Sequence, residues 1–281
     1  MGDREGVEEQ RVGMWAAGDA YDRYMGRWSR PVAGGFVTWL DAGAGLRWLD
    51  VGCGTGALAA TVAARCRPRA VVGVDRSVGF VASAGAAAPE PARFVVADAL
   101  ALPVHDQAYD LAVSGLALNF LPDPAAAVVE AARAVRCGGT VAAYVWDYAG
   151  GMGFLRAFWE AAVQVDPSAA VQDESRRFRL CRPDPLRALW VRAGLEDVAV
   201  APIEVDTVFA GFPDLWEPFL AGQGPAPAYV ASLAPALRDR LRDTLGRAVP
   251  TRPDGSIALT ARAWAVRGRR PGGTALGRAP G

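Results

Sequence analysis

An open, mostly parallel α/β sheet is the fold this sequence predicts, and three observations predict it. Over residues 1–146, short apolar runs alternate with alanine-rich stretches of helix length, the rhythm of strands and crossover helices. A glycine turn, "VGCGTG", joins the first such run to the stretch after it. Two later runs end in an acid, Asp75 and Asp98, which places both carboxylates at one edge of the sheet.

The elements follow in order. Residues 1–19 are polar and charged and read as a flexible N-terminus. "AYDRYMGRWSRPVAGGFVTWL" (20–40) carries apolar residues at helical spacing, with Pro31 and Gly34-Gly35 inside it; it reads as two helices with a bend. Strands are expected at 47–52, 70–75, 92–98, 108–115 and 139–146. Helices are expected at 57–66, 77–88 and 123–135, the last capped by Asp123. The rhythm then changes. Helices are expected at 154–165 and at 182–194, the second closed by Gly194, and long strands at 198–210 and 255–268. Between those strands, about 211–254, lies a proline-interrupted helical stretch placed as a cap over a pocket. The main domain is thus 20–268, and the Gly/Pro/Arg-rich end, 269–281, reads as a disordered tail.

Composition narrows the function. The chain has 281 residues, 52% of them hydrophobic and 21% charged, ample for one large buried core. Thirty basic residues balance thirty acidic ones, so no electrostatic footprint for nucleic acid exists. Every basic side chain is Arg, which excludes P-loop and Schiff-base lysine chemistry. The four cysteines form no C-x-x-C pair and there is one histidine, so no metal site is expected. The scattered thiols, the charged N-terminus and the absence of a long apolar run read as a cytoplasmic protein with no membrane partner.

The glycine turn asks what ligand it serves. Gly52, Gly54 and Ala57 satisfy the dinucleotide pattern G-x-G-x-x-[G/A], with Asp75 placed to hold ribose hydroxyls. That pattern alone leaves a nicotinamide-dependent oxidoreductase open. Three features favour another adenosine ligand: Asp50 lies inside the first strand, Gly56 extends the turn to G-C-G-T-G, and Asp98 adds a second acid.

Taken together, "LDVGCGTG", "VGVDRS", "VVADALALPVHDQAYDLAVSGLALNFLPDP" and "RAVRCGGTVAAYVW" resemble the class I S-adenosylmethionine-dependent methyltransferases. They resemble most the branch that includes ubiquinone- and menaquinone-biosynthesis enzymes and bacterial small-molecule methyltransferases. "YDRYMGRWSR" resembles a segment of bacterial members of this branch. The resemblance implies a Rossmann-like, seven-stranded sheet with an antiparallel last strand. It implies S-adenosylmethionine as cofactor and a small-molecule methyl acceptor as partner.

Roles follow from the same resemblance. Gly52, Gly54 and Gly56 would let the backbone approach the methionine part of the cofactor, with Asp50 near its ammonium. Asp75 would accept from both ribose hydroxyls, Asp98 from the adenine amino group, and Arg76 and Ala99 would flank the ring. Ser114 would face the methionine. Tyr24, Arg27 and Trp28 would fold over the cofactor, with Arg27 on the methionine carboxylate. Trp146, Asp147 and Tyr148 close the fifth strand at the expected pocket mouth, and Trp216 in the cap suggests an apolar, flat acceptor. Each of these four has core packing as its alternative role. No residue stands out as a catalytic base: His105 lies in "LPVHDQAYD" and reads as a solvated loop residue. A non-catalytic cofactor-binding protein on the same fold stays open as well.

Overall fold

The computed structural model describes residues 26–221 and 224–272. Seven strands form one sheet in the order β3-β2-β1-β4-β5-β7-β6. They are β1 (Arg47–Val51), β2 (Ala70–Asp75), β3 (Ala92–Val96), β4 (Tyr109–Gly115), β5 (Val135–Trp146), β6 (Glu196–Phe209) and β7 (Ile257–Arg269). β1 pairs in parallel with β2 and β4, β2 with β3, and β4 with β5. The last strand, β7, inserts between β5 and β6 and runs antiparallel to both. The seven strands and the antiparallel last strand agree with the sequence.

Burial follows the position in the sheet. β5 is an interior strand, and every residue from Val141 to Trp146 is buried, as expected for a strand covered on both faces. The register places Asp50, Val113, Ala142, Tyr144 and Trp146 on one face, because Asp50 pairs with Val113 and Val113 with Ala142. Ile203, Thr207 and Phe209 of β6 extend the same face through Ala263, Leu259 and Ile257 of β7.

That face is covered by α1 (Arg27–Leu40). Its Phe36 packs on Tyr144 with ring centroids 4.6 Å apart. The expected bend is absent, and α1 is one continuous helix. Pro31 falls early, so the missing N–H costs only a bond in the first turns. Gly34 and Gly35 are not breaks but points of approach. A Cβ on Gly35 would stand 2.6 Å from Ile203 Cγ2, and one on Gly34 2.8 Å from the Arg65 guanidinium. At the far end, Arg267 Nη1 donates to the carbonyls of Trp39 and Leu40, satisfying the helix terminus.

The crossover helices are short and locally capped. α2 (Ala57–Arg65) starts directly from the glycine turn. α3 (Val78–Ala86) begins at Ser77, whose hydroxyl accepts from the Phe80 amide. α4 (Pro124–Ala134) begins at Asp123, whose carboxylate accepts from the Ala126 amide at 2.9 Å. It runs straight into β5, which starts at Val135, four residues earlier than its apolar run suggests. After β5 come α5 (Gly153–Val165), a one-turn α6 (Glu174–Arg177) and α7 (Pro183–Arg192). Trp190 of α7 covers the opposite face of the sheet and donates to the Val141 carbonyl at 2.9 Å.

Between β6 and β7 lie α8 (Phe212–Trp216), a 3-10 turn (Glu217–Ala221), α9 (Pro225–Ser232) and α10 (Pro235–Ala248). This cap packs on α5 through aromatic rings. Phe158 stacks on Phe219 at 4.4 Å, and Trp159 meets Tyr229 at 5.6 Å. The chain end also differs from the sequence reading. β7 continues through Arg269, and Arg270 Nη1 donates to the carbonyls of Ala132, Arg133 and Val135. The tail expected from residue 269 therefore starts with an anchored strand end; residues 273–281 lie outside the described residues.

Candidate functional site

The glycine turn sits at the carboxyl end of β1, where open α/β sheets bind ligands. The amides of Gly52 and Cys53 both donate to the Val74 carbonyl, at 2.8 and 2.9 Å, which bends the chain sharply off the sheet. Gly52 has φ +75°, and a Cβ there would stand 2.5 Å from the Ala117 Cβ. Gly54 has φ +51°, but nothing in the protein lies within 4 Å of where its Cβ would be. The first glycine makes room for the protein itself, whereas the second leaves open space above bare backbone.

Asp75 ends β2 beside this turn. Its Oδ2 accepts from the Gly54 amide at 3.0 Å and its Oδ1 from the Ser77 amide at 2.9 Å. One carboxylate thus ties the turn to the start of α3 and faces the space above Gly54. Arg76 beside it is exposed. Asp98, past the end of β3, is exposed; its Oδ1 accepts from the Leu100 amide at 2.9 Å, and Ala99 beneath it is buried. The geometry therefore gathers Gly52, Gly54, Gly56, Asp75, Arg76, Asp98 and Ala99 at one edge.

Asp50 is the electrostatic oddity of the site. It is 1% exposed, and neither carboxylate oxygen has a hydrogen-bond partner. Burial pushes its pKa up to about 7; the Ala59 amide works against this and Asp75 adds to it. A buried carboxyl that only the Ala59 amide approaches, outside hydrogen-bond geometry, is uncommon in folded proteins, where buried acceptors are nearly always satisfied. Ser114 at the end of β4 is also buried, with its hydroxyl unpartnered. Just beyond it, Leu116 adopts φ +60°, a left-handed conformation uncommon for leucine, and its amide donates to the Tyr144 carbonyl at 2.8 Å. The sequence gives no sign of that turn.

The residues expected to line the acceptor side divide. Trp146 is 2% exposed, on the α1 face, and its indole N–H has no partner. Asp147 is engaged structurally: its Oδ2 accepts from Arg262 Nε and Nη2 at 2.8 and 2.6 Å, and its Oδ1 from the Ala149 and Gly150 amides. Tyr148 packs against Phe178 at 5.1 Å, and Phe178 against Phe120 at 5.2 Å, forming an aromatic wall beyond β4 and β5. Trp216 is buried in the interface of cap and α5, against Phe219.

Arg27 and Trp28 open α1 and pack against the end of β6. Arg27 donates to Asp214 of the cap at 2.8 Å and lies over the rings of Trp28 and Phe209, 4.6 Å from each centroid. Tyr24 lies outside the described residues. His105 is exposed in an irregular segment. Glu174, which the sequence did not single out, is 2% exposed and accepts from the Trp159 indole. Burial pushes its pKa up to about 7, with its own amide and Trp159 opposing. A hollow of about 310 Å³ lined by Asp110, Arg136, Asp197 and Arg269 opens at the other end of the sheet. Within it Arg136 pairs with Asp110 at 2.6 Å and Arg269 with Asp197 at 3.6 Å, and it lies away from the strands' carboxyl ends.

Residues 49–143 match the methyltransferase domain family, a stretch that runs from within β1 to within β5 and contains the whole glycine turn. A demethylmenaquinone methyltransferase of Roseiflexus castenholzii is 43% identical over 72 residues, 25% of this chain; the chain spans only 30% of that relative's length. Phosphoethanolamine N-methyltransferase 2 of Haemonchus contortus, solved with S-adenosyl-L-methionine, has the same fold. Its TM-score is 0.55 at 17% identity over 93% of this chain and 57% of that one. The [4+2]-cyclase SpnF also shares the fold, with a TM-score of 0.53 at 22% identity over 88% of this chain and 82% of that one. Residues 49–143 thus carry the methyltransferase-domain match, and the seven-stranded sheet is the fold shared with these solved structures. Among the described residues, no helix is long and apolar enough to cross a membrane.

Proposed function

We propose that the protein transfers a methyl group from S-adenosylmethionine to a small-molecule acceptor. The observation that carries this is the glycine turn: open space above Gly54, flanked by the Asp75 carboxylate, with the unpartnered Asp50 carboxyl beneath. Bound S-adenosylmethionine supplies a methyl group on a positively charged sulfur. The chain's residues do the rest by positioning. Asp50 offers two acceptor oxygens to the cationic amino-acid end, and Asp75 offers its remaining lone pairs to ribose hydroxyls. Asp98 accepts from the adenine amino group, with Ala99 and Arg76 on either side of the ring. Ser114 faces the methionine. The wall of Phe120, Tyr148 and Phe178 excludes water and holds the acceptor in line with the departing methyl.

The relative's acceptor, demethylmenaquinone by its name, is a small molecule, which supports that class of substrate here. The test is a thermal shift with S-adenosylhomocysteine against NAD and NADP, followed by transfer of labelled methyl into small-molecule extracts. A ligand at about 100 times its Kd stabilises by roughly 2.7 kcal/mol. Stabilisation by NAD, with none by S-adenosylhomocysteine, would refute the reading. Binding without any methyl transfer would leave a cofactor-binding protein on this fold.

A further inference from the structure

Arg27 holds one edge of its guanidinium fixed and leaves the other free. Nη1 donates to Asp214 Oδ1 at 2.8 Å, whereas Nε and Nη2 are buried and have no partner. Those two nitrogens form the side-on fork that matches a carboxylate bidentately. The fork is already oriented, since the guanidinium lies 4.6 Å from the ring centroids of both Trp28 and Phe209. The indole N–H of Trp28, the ring under this guanidinium, is also buried without a partner, and so is the hydroxyl of Thr207, two residues before Phe209 on the same face of β6. Buried donors are nearly always satisfied, so a group of them beside a free guanidinium edge marks a binding place.

Position identifies which molecule it serves. In the order β1-β4-β5-β7-β6, four strand spacings separate the strand of the glycine turn from the strand of Phe209. At about 4.8 Å each that is roughly 19 Å. The methionine end of a cofactor held at Gly52–Gly56 does not extend that far. The charge also discriminates. Arg27 and Asp214 are already a neutral pair, and the Asp214 carboxyl is held below its ordinary value: burial would raise it, and Arg27 with the Ala210 amide outweigh burial. A dianionic phosphate beside that ionised carboxylate is repelled, whereas a monoanion is tolerated.

Resting on the methyl-transfer reading above, we infer that the methyl acceptor carries a carboxylate, which docks on the Nε–Nη2 edge of Arg27 between α1 and the cap. The test uses the full chain saturated with S-adenosylhomocysteine, titrated with benzoate, phenylacetate and 4-hydroxybenzoate and with the matching amides. The readout is the assigned indole N–H resonance of Trp28. Carboxylates are expected to shift that resonance and to bind at least tenfold more tightly than their amides. Arg27→Met should abolish the difference while leaving S-adenosylhomocysteine affinity within twofold. Asp214→Asn breaks the latch but keeps the fork, and should retain the carboxylate preference. No shift with any carboxylate, or equal binding of acids and amides, overturns the inference. An Arg27→Met protein that loses S-adenosylhomocysteine instead of the carboxylates also overturns it, and assigns the fork to the cofactor. Failure of S-adenosylhomocysteine to bind the unaltered chain is a separate result, which removes the methyl-transfer reading.

Discussion

The two ends of the sheet are built by different means. On the β3-β2-β1 side, the site is made of backbone: amides of Gly52, Cys53 and Gly54 turned onto Val74 and Asp75, with glycine φ angles that few other residues tolerate. On the β5-β7-β6 side it is made of packed side chains: Arg27 on Trp28 and Phe209, Asp147 on Arg262, and the Phe158–Phe219 stack under the cap. Backbone geometry constrains sequence locally, within a few positions. Side-chain packing leaves many sequences acceptable and joins residues far apart in the chain. The first end is therefore constrained by local backbone geometry, and the second is free to differ among proteins of one fold.

The largest effect expected of a small change lies at the backbone end. Gly52→Ala puts a Cβ against Ala117 and holds alanine at φ +75°. Left-handed strain of about 1–2 kcal/mol and overpacking of about 1–3 kcal/mol act together. Chemical denaturation should show a loss of roughly 2–5 kcal/mol, with cofactor binding lost. Gly54→Ala meets no protein atom. It should cost only about 1–2 kcal/mol of stability yet still abolish binding, because its Cβ occupies the ligand's space. Equal stability losses for the two variants would break the distinction between a glycine placed for the fold and one placed for the ligand.

Asp75→Ala should follow in size. It removes the acceptor proposed for the ribose and also the anchor of the Gly54 and Ser77 amides. Calorimetry should show a cofactor-affinity loss of about 2–4 kcal/mol, with circular dichroism unchanged. At saturating cofactor the transfer rate should largely recover, since the ribose is held alike in ground and transition states. Unchanged affinity in a folded variant would mean that the adenosine pocket lies elsewhere.

At the packed end, Asp147→Ala should instead lower stability and spare the cofactor. It strips Arg262 of the oxygen that accepts from both Nε and Nη2, and frees the Ala149 and Gly150 amides. A fully buried pair would cost about 3–5 kcal/mol to break. Arg262 keeps 31% exposure, and water reaching it reduces the expected loss to about 1–3 kcal/mol. A loss of S-adenosylhomocysteine affinity larger than the loss of stability would show that the two ends are not separable.

Legibility in the sequence divides along the same line. β1 to β4 and their helices could be read to within a few residues because each is a local apolar period closed by a glycine, a cap or an acid. Gly34-Gly35 misled, because a glycine needed for close approach to Ile203 looks the same in sequence as one that breaks a helix. Trp216 was visible as a large aromatic, but whether such a ring faces a pocket or the Phe219 ring depends on tertiary packing. Arg27 and Asp214 meet across 187 positions, and no spacing rule connects them. The unpartnered state of Asp50 was equally hidden: its place before the glycine turn was legible, its desolvation was not.

That desolvation yields a pH dependence. The Asp50 carboxyl has a pKa near 7 when folded, against 3.8 as its ordinary value, so the native state holds the extra proton between those values. The stabilisation is complete below about pH 4 and is lost as pH rises towards 7. The slope is about 1.4 kcal/mol per pH unit for one group. Glu174, raised to about 7 by its own burial, contributes in the same window. Asp50→Asn should remove the Asp50 share and leave that of Glu174. A cationic ligand beside Asp50 favours its ionised form, so cofactor binding should tighten as pH rises through 7 in the unaltered chain and lose that dependence in Asp50→Asn. An unaltered protein whose cofactor affinity is flat from pH 6 to 8 would place the cationic end of the ligand away from Asp50.

The smallest effect is expected at His105, and its smallness is informative. It is the sole histidine of the chain, the residue type most often used as a general base, and so the first candidate for one. The structure leaves it exposed, in the irregular segment before Tyr109, on the side of β4 where that strand begins. The proposed site stands at the other end of the same strand, beyond Ser114 and Gly115. Six strand rises of about 3.3 Å separate the two ends of β4, roughly 20 Å, too far for a proton transfer that needs hydrogen-bond reach. His105→Ala should therefore leave kcat, KM and the pH–rate profile within error of the parent, while a lost general base would cost roughly a hundredfold or more. Any pH dependence that survives then belongs to the buried carboxyls and not to an imidazole. A hundredfold fall in kcat at His105→Ala would instead show that the loop reaches the acceptor, and that neither end of the sheet alone contains the catalytic site.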